Sequence, residues 1–366
     1  MNGMTTLHRT DDWFLRPAAR DWANSSPTPG ARAFHQSLPG YAPTPLVTLP
    51  ALAAELAVRA VLVKDESSRL GLPAFKVLGA SWAIARVIAE RTGASTELSS
   101  LRRAAALSRL RLVTATDGNH GRAVARMASL LRLAATVFVP AMMSQGTADA
   151  IAAEGADVVR TEADYDGAVA TAARFADEDP RRELIQDTAW DGYEQVPAWV
   201  VEGYDTMLDE VDEQLGRVPD LVAIPVGVGS LAQAVVAHYR RSRVSHPAML
   251  SVEPDTAACV LGSLVTGAPV SVSTGATVMA GLNCGTVSTL AWPVLRDGCD
   301  AAVAVTDTAA LQAVSDLGHL GVSSGPSGAA ALAGLRAALA IPNRRTALGV
   351  DSTSTVLLLS TEGNLR

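Results

Sequence analysis

The chain has 366 residues, of which 48% are hydrophobic and 18% charged, and its formal net charge at pH 7 is −7. The low charged fraction argues against a disordered polypeptide, and the negative balance argues against the basic face that a nucleic-acid-binding protein needs. Aromatic residues make up only 4% of the chain, so we expect a core built mainly from alanine, valine and leucine. A size of roughly 150 residues per domain predicts two domains, or one large domain.

The N-terminal segment 1–14 has two aspartates and no apolar run, which predicts that it is not a signal peptide. Three uncharged stretches, 221–239, 256–295 and 317–335, contain glycine, serine or proline throughout. None of them offers the roughly 20 mainly apolar residues that span a bilayer. We therefore expect a cytoplasmic protein with no membrane contact.

Short apolar strands alternate with longer amphipathic helices along the chain. The predicted strands, in order, are 61–64, 112–115, 135–139, 156–159, 221–225, 248–252, 301–305 and 355–359. The predicted helices are 76–91, 121–131, 144–154, 164–177, 193–215, 231–241, 307–320 and 327–339. This alternation predicts an α/β protein whose open parallel sheets carry helices on both faces.

The pattern also predicts two domains. We expect a large domain from residues 1–79 plus 200–366 and a small domain from 80–199. The segment up to about residue 50 lacks periodicity and is expected to be irregular. The three cysteines, Cys259, Cys284 and Cys299, have neither C-x-x-C spacing nor a neighbouring histidine cluster. They predict neither a disulfide framework nor a zinc site.

The chain has only two lysines, Lys64 and Lys76. Lys76 stands between Phe75 and Val77, and burial in such a setting disfavours the charged amine. A neutral amine can form a Schiff base with an aldehyde; the alternative is a lysine that extends its charge to solvent at the start of a helix. Lys64 ends a strand and precedes two acidic residues, which predicts a surface ion pair.

Two segments join a strand to a helix and could bind anions. The first, 114–121, reads Thr-Ala-Thr-Asp-Gly-Asn-His-Gly, and successive amides in such a turn favour a carboxylate or phosphate. Its Asp117 is either a helix cap or an active acid, and its His120 is either a base or a structural side chain. The second, Pro225–Ser230, has two glycines that let a phosphate approach the backbone. Between these segments, Asp187 is either a loop cap or a ligand contact.

Together these segments resemble the fold-type-II pyridoxal-phosphate enzymes, the group of tryptophan synthase β and the serine/threonine dehydratases. The resemblance covers nearly the whole chain. It rests on Ala-Phe-Lys at 74–76 with Gly-Ala at 79–80, on Gly-Asn-His at 118–120, and on the glycine loop at 227–230. Within the group the chain most resembles the diaminopropionate ammonia-lyases, through LPGYAPTPL at 38–46, KDESSRLGLPAFKVLGA at 64–80, QDTAWDGY at 186–193 and VMAGLNCGT at 278–286.

The resemblance implies a cofactor, pyridoxal 5'-phosphate, and a reaction, β-elimination of 2,3-diaminopropionate to pyruvate and two ammonia. It also implies a homodimer. The implied catalytic residues are Lys76, Asp117 and Asp187. The implied cofactor ligands are Lys76, Asn119, Val226, Gly227, Val228, Gly229, Ser230, Ser360 and Thr361. The implied substrate ligands are Thr116, Asp117, Gly118, His120 and Asp187, and no metal is implied.

Two other functions fit parts of the sequence. A serine/threonine dehydratase or a β-replacement enzyme would have the same fold, but the dehydratases usually have serine at the position of Asp117. Dehydratases also have Ser or Thr at the position of Ala74 and Arg at that of Leu78. A nicotinamide-dependent oxidoreductase could use the glycine segment as G-x-G-x-x-A with Glu253 after the next strand. That function leaves Lys76 and Asn119 unexplained.

Overall fold

The computed structural model describes residues 12–24, 30–241 and 246–364. Residues 1–11, most of the segment predicted not to be a signal peptide, lie outside this range. The strands are β1 (Trp13–Leu15), β2 (Leu46–Thr48), β3 (Ala60–Asp65), β4 (Arg111–Ala115), β5 (Ala134–Val139), β6 (Asp157–Arg160), β7 (Arg182–Leu184), β8 (Leu221–Pro225), β9 (Ala248–Pro254), β10 (Ala301–Val305) and β11 (Thr355–Ser360).

The helices surround these strands. They are α1 (Ala31–Gln36), α2 (Pro50–Glu55), α3 (Lys76–Thr92), α4 (Leu98–Ser108), α5 (Asn119–Leu131), α6 (Gln145–Ala152), α7 (Tyr165–Asp177), α8 (Gln195–Leu215), α9 (Ser230–Tyr239), α10 (Cys259–Thr266), α11 (Ala291–Gly298), α12 (Asp307–His319), α13 (Pro326–Leu339) and α14 (Pro342–Leu348). Within the described part of the chain, no helix is long and apolar enough to span a membrane.

Contacts divide the chain into two compact units. The first consists of residues 1–28, 43–68 and 207–366, and the second of 29–42 and 69–206. The predicted domains, 1–79 plus 200–366 and 80–199, differ from these units at their bounds and remain a prediction. The difference arises because α3, which begins at Lys76, packs on α5, and α1 packs on α3.

The first unit contains a seven-stranded sheet in the order β1-β10-β9-β8-β11-β3-β2. Its five central strands are parallel, and the edge strands β1 and β2 pair antiparallel. Helix α13 packs across β8, β9, β10 and β11. Its small residues permit this close approach: a Cβ on Gly334 would lie 2.3 Å from the side chain of Val252. The core of this unit consists largely of alanine, valine and leucine, as the composition predicts.

The second unit contains a parallel four-stranded sheet in the order β6-β5-β4-β7. Helix α7 packs on β4, β5 and β7, and Ala168 and Ala172 of this helix are fully buried. Because all four strands are parallel, their carboxyl ends lie along one edge, where ligands of open α/β sheets bind. The segments that follow β4 and β7 therefore begin side by side.

The sixteen predicted strands and helices are all present, with bounds that differ by at most a few residues. The short elements β1, β2, β7, α1, α2, α4, α10, α11 and α14 were not predicted. The segment before residue 50 is therefore less irregular than expected. All three cysteines are buried, and none of them forms a disulfide within the described part of the chain.

The prediction of a surface ion pair for Lys64 is wrong. Its side chain is fully buried on β3 and its Nζ lies 2.7 Å from Glu210 Oε2, also fully buried. The same ammonium donates to the Thr44 carbonyl at 2.8 Å and to Gln214 Oε1 at 3.0 Å. All three of its N–H groups thus have acceptors, which makes Lys64 a structural residue of the first unit.

We expect Lys64→Met to lower the free energy of unfolding by about 3–5 kcal/mol, because it leaves the Glu210 carboxylate buried without its countercharge. Urea denaturation measures this loss. The double variant Lys64→Met/Glu210→Leu is the control, and it should recover most of the stability. A single variant as stable as the wild type would contradict the structural role of this pair.

Candidate active site

Lys76 is the first residue of α3, a helix whose residues 77–85 are all buried. Gly79, one turn later, faces the helix segment that contains Val200 and Tyr204, and a Cβ on it would lie 2.6 Å from each of these side chains. The Tyr204 ring also packs 4.7 Å from the Phe75 ring, centroid to centroid. Glycine at position 79 is therefore a packing requirement that fixes the helix carrying Lys76.

The Lys76 side chain is paired with Asp187. Its Nζ lies 2.6 Å from Asp187 Oδ2, and the two side chains are 22% and 6% exposed. Burial lowers the pKa of Lys76, but Asp187, Tyr204 and Asp117 together outweigh burial and raise that pKa above its usual value. Lys76 is therefore an ammonium here, and not the neutral amine that its apolar setting alone favours. Burial likewise opposes the charge on Asp187, yet the charge and the hydrogen bond of Lys76 bring its pKa down to about 2. The carboxylate is thus ionised at neutral pH.

The segment after β7 holds Asp187 in place through its neighbour Gln186. The buried Gln186 Oε1 accepts hydrogen bonds from Ala115 N at 3.0 Å and from Thr114 Oγ1 at 3.1 Å, at the end of β4. Its backbone N donates to the Tyr193 hydroxyl at 2.9 Å, which in turn donates to the Leu184 carbonyl at 2.7 Å. Neither Gln186 nor Tyr193 is predicted from the sequence to have a role, although both lie in the stretch QDTAWDGY that carries the family resemblance.

The turn after β4 is organised by Thr116, which is buried. Its Oγ1 accepts the amides of Gly118 at 2.9 Å and Gly121 at 3.0 Å. Gly118 has φ +150°, a conformation that side chains rarely adopt. The turn leads directly into α5, whose first residue, Asn119, is half-buried.

Asp117 and His120 of this turn lie within electrostatic range of Lys76. The negative charge of Asp117 helps to raise the pKa of Lys76. His120 is 2% exposed and its Nε2 lies 2.8 Å from the Ile185 carbonyl oxygen. The structure thus brings together, within the second unit, the predicted residues Lys76, Asp117, His120 and Asp187. The other predicted residues of this unit are Thr116 and Gly118, which belong to the same turn, and Asn119, the first residue of α5.

In the first unit, the predicted glycine segment follows β8 and begins α9. The Val226 amide is bonded to the Val252 carbonyl at 2.8 Å, so Val226 continues the sheet. Gly229 has φ +97°, and a Cβ on Gly227 would lie 3.1 Å from Cys284 Sγ and 3.2 Å from the Gly281 carbonyl. Ser230 is the first residue of α9. Residues 227–230 therefore form a tight glycine turn at a helix N-terminus, the arrangement that binds phosphate.

Ser360 ends β11, and Thr361 follows it; both are buried. The Ser360 hydroxyl donates to Ser324 Oγ at 2.8 Å, and Ser324 donates to the Gly325 carbonyl at 3.2 Å. Ser324 is not among the residues predicted from the sequence. The one sequence feature that could have indicated it is the Ser-Gly-Pro-Ser-Gly run at the start of α13.

Glu253 does not have the environment expected of a residue that binds the ribose of a nicotinamide cofactor. Its carboxylate is fully buried and accepts the amides of Val260 and Leu261, at 2.8 and 2.7 Å, in the first turn of α10. Burial raises the pKa of Glu253 to about 8. Both carboxylate oxygens thus serve the fold, which argues against the nicotinamide-dependent alternative.

The chain resembles known proteins along nearly its whole length. Residues 37–360 match the family model described as pyridoxal-phosphate dependent enzyme. The chain is 38% identical to the diaminopropionate ammonia-lyase of Escherichia coli K12 over 351 residues, which cover 91% of this chain and 87% of that protein.

Two crystal structures of the Escherichia coli diaminopropionate ammonia lyase superpose on the chain with a TM-score of 0.87 and 34% identity. One is a complex with D-serine and covers 96% of this chain and 94% of that one. The other is a complex with an aminoacrylate-PLP azomethine reaction intermediate and covers 99% of this chain and 95% of that one. These matches confirm the predicted fold class and cofactor, pyridoxal 5'-phosphate. The chain belongs to the pyridoxal-phosphate dependent enzyme family and, within it, to the family of the diaminopropionate ammonia-lyases.

Proposed function

We propose that this protein catalyses β-elimination of 2,3-diaminopropionate to pyruvate and two ammonia. The observation that carries this proposal is the Asp187 carboxylate, which is buried, ionised and 2.6 Å from a primary ammonium, that of Lys76. A carboxylate in this position complements the positively charged β-amino group of the substrate. Serine and threonine carry no such charge.

The residues present in each unit fit pyridoxal phosphate. In the first unit, the segment 226–230 with its glycine turn would hold the phosphate. Ser360 or Thr361 would meet the pyridine nitrogen with a hydroxyl, a weak proton source that favours elimination over transamination. In the second unit, Lys76 would bond to the aldehyde carbon, and Asn119 would hydrogen-bond to the phenolic oxygen.

Pyridoxal phosphate, when bound, supplies the electron sink for the charge that develops at Cα. The protein must supply the bases. Lys76 Nζ, once released by the substrate amine, would remove the Cα proton of the L-isomer. The Asp117 carboxylate would remove that of the D-isomer, since an acid serves as a base when it is ionised and within reach of the proton.

The remaining residues would position the substrate. The turn at Thr116, Gly118 and His120 would bind the α-carboxylate at the N-terminus of α5. Asp187 would hold the β-ammonium group. When the Cβ–N bond breaks, its electron pair leaves with the nitrogen, and the ammonium departs as neutral ammonia. Hydrolysis of the resulting enamine releases the second ammonia and pyruvate.

We also propose that the protein acts in the cytoplasm as a homodimer. The family likeness supports the dimer. The three long uncharged stretches are consistent with it, because buried subunit interfaces are depleted of charged residues.

The purified protein with added pyridoxal phosphate should release pyruvate and ammonia from a diaminopropionate isomer well above the rate with serine. The panel contains L- and D-diaminopropionate, L- and D-serine and L-threonine, with 2-oxobutyrate assayed for threonine. Turnover of serine or threonine alone would instead identify a dehydratase. Binding of the cofactor without turnover of any of the five would point to β-replacement and contradict the proposal.

Lys76→Ala should abolish the visible absorbance of lysine-bound cofactor and all turnover, because it removes the only amine proposed to bond to the aldehyde. Lys64→Met is the matched control, since it removes the other lysine of the chain and should retain that absorbance in its folded fraction. Loss of the absorbance in Lys64→Met alone would show that the assignment of the two lysines is wrong.

Asp117→Asn should lose activity on D-diaminopropionate and keep much of the activity on the L-isomer, because the amide keeps the shape of the side chain but is not a base. Measuring kcat with each isomer tests this. A loss of roughly 100-fold or more on the D-isomer is expected for removal of a general base. Equal losses on both isomers would refute the two-base mechanism.

A further inference from the structure

His120 is a buried histidine that uses only one of its two ring nitrogens in the fold. Its Nε2 lies 2.8 Å from the Ile185 carbonyl oxygen. A carbonyl oxygen can only accept, so Nε2 carries the hydrogen and Nδ1 of the neutral ring presents a lone pair. Burial and the nearby charge of Lys76 lower the pKa of His120, and the opposing effect of Asp187 is smaller. The ring is therefore neutral at pH 7, with a fixed tautomer.

The Nδ1 atom of His120 is buried and has no hydrogen-bond partner among the described residues. A buried polar atom without a partner is rare in native proteins and costs stability. The second buried histidine of this unit, His35, provides the contrast. Its Nδ1 lies 2.7 Å from Thr206 Oγ1 and its Nε2 lies 3.0 Å from the Leu78 carbonyl. Both ring nitrogens of His35 thus serve the fold, whereas His120 leaves one for another use.

The Nδ1 atom of His120 lies 3.9 Å from Asp187 Oδ2. A nitrogen about 2.8–3.0 Å from each atom fits between two acceptors at this separation. An ammonium group can donate to both at once, because it has three N–H groups. A hydroxyl has one hydrogen and satisfies only one of them.

We propose that His120 Nδ1 and Asp187 Oδ2 together bind the β-ammonium group of the substrate, and that His120 thereby makes the site select an amine over a hydroxyl at Cβ. This inference rests on the proposed function and adds a second side chain, beside Asp187, that distinguishes 2,3-diaminopropionate from serine. With serine bound, the single hydroxyl hydrogen goes to the charged acceptor, the Asp187 carboxylate, and Nδ1 receives no hydrogen bond from the substrate. Enzymes that hydrogen-bond a substrate group reject analogues that lack the matching donor in this way.

Two substitutions separate the two ring nitrogens. In His120→Gln the amide reaches the position of Nε2, so it can still donate to the Ile185 carbonyl, but the acceptor at Nδ1 is lost. In His120→Asn the amide oxygen reaches the position of Nδ1, and the bond to Ile185 is lost instead. His35→Gln is the matched control for disturbing a buried histidine in the same unit.

We expect His120→Gln to lower kcat/KM for diaminopropionate roughly 10- to 100-fold, as for loss of one hydrogen bond to a charged group. The inhibition constant of D-serine should change less than about threefold, because serine is not expected to use Nδ1. His120→Asn should recover a large part of the lost selectivity, and His35→Gln should leave the ratio of the two constants unchanged. The tautomer is checked separately: ¹⁵N spectra of the wild-type protein, with His120 assigned from the variants, should show a neutral Nε2–H ring from pH 7 to 8.

Equal losses for diaminopropionate and D-serine in His120→Gln would overturn the inference and leave the proposed function intact. The inference would also be overturned if kcat/KM for diaminopropionate and the inhibition constant of D-serine kept their wild-type ratio in both His120 variants. Spectra that show an Nδ1–H ring or a doubly protonated ring would overturn it as well. If the wild-type enzyme does not turn over diaminopropionate at all, the proposed function is wrong, and the inference, which names a nitrogen of that substrate, is wrong with it.

Discussion

The ion pair between Lys76 and Asp187 is the interaction on which the site of the second unit depends. Two opposite charges 2.6 Å apart and largely removed from water are tolerated only because each neutralises the other. The pairing holds the carboxylate ionised even though burial opposes its charge. The order of the sheet brings the other predicted site residues next to Asp187. Strand β7 lies next to β4, so the segment with Asp187 and the turn with Asp117 and His120 leave the same sheet edge.

The support for this ion pair comes from side chains that do no chemistry. Gln186 bonds the end of β7 to the end of β4, and Tyr193 bonds back to the segment that contains Asp187. Gly79 lets α3 pack so closely that even one added methyl group would clash with Tyr204. A carboxylate held by such neighbours keeps its position when a substrate arrives, and preorganisation of this kind distinguishes a binding site from an accidental contact.

The two lysines of the chain show how the surroundings of a side chain decide its role. Lys64 is fully buried, and each of its N–H groups has an acceptor within its own unit, so it has no capacity for a ligand. Lys76 keeps 22% of its side chain exposed, and the carboxylate that pairs with it lies 3.9 Å from a histidine nitrogen that is unsatisfied among the described residues. Incomplete hydrogen bonding in a buried polar cluster is costly. It is therefore expected where a ligand completes the cluster.

The sequence by itself determined the parallel α/β architecture. Strands such as β4, β8 and β10 are buried on both faces and appear as continuous apolar runs that the sequence shows directly. The short strands β1, β2 and β7 escaped prediction because three residues show no periodicity. The motifs around Lys76 and Gly118–His120 were likewise visible in the sequence. Glycine there is needed for close helix packing at position 79 and for the positive φ at position 118.

Only the tertiary structure decided which partners these residues have. Glu210 lies 146 residues from Lys64 in the sequence, and this distant carboxylate turned an apparent surface lysine into a core residue. Asp187 lies 111 residues from Lys76, and Ile185, which sets the tautomer of His120, lies 65 residues away from it. Sequence patterns report local geometry, whereas charge state and hydrogen-bonding capacity depend on groups that are brought together by folding.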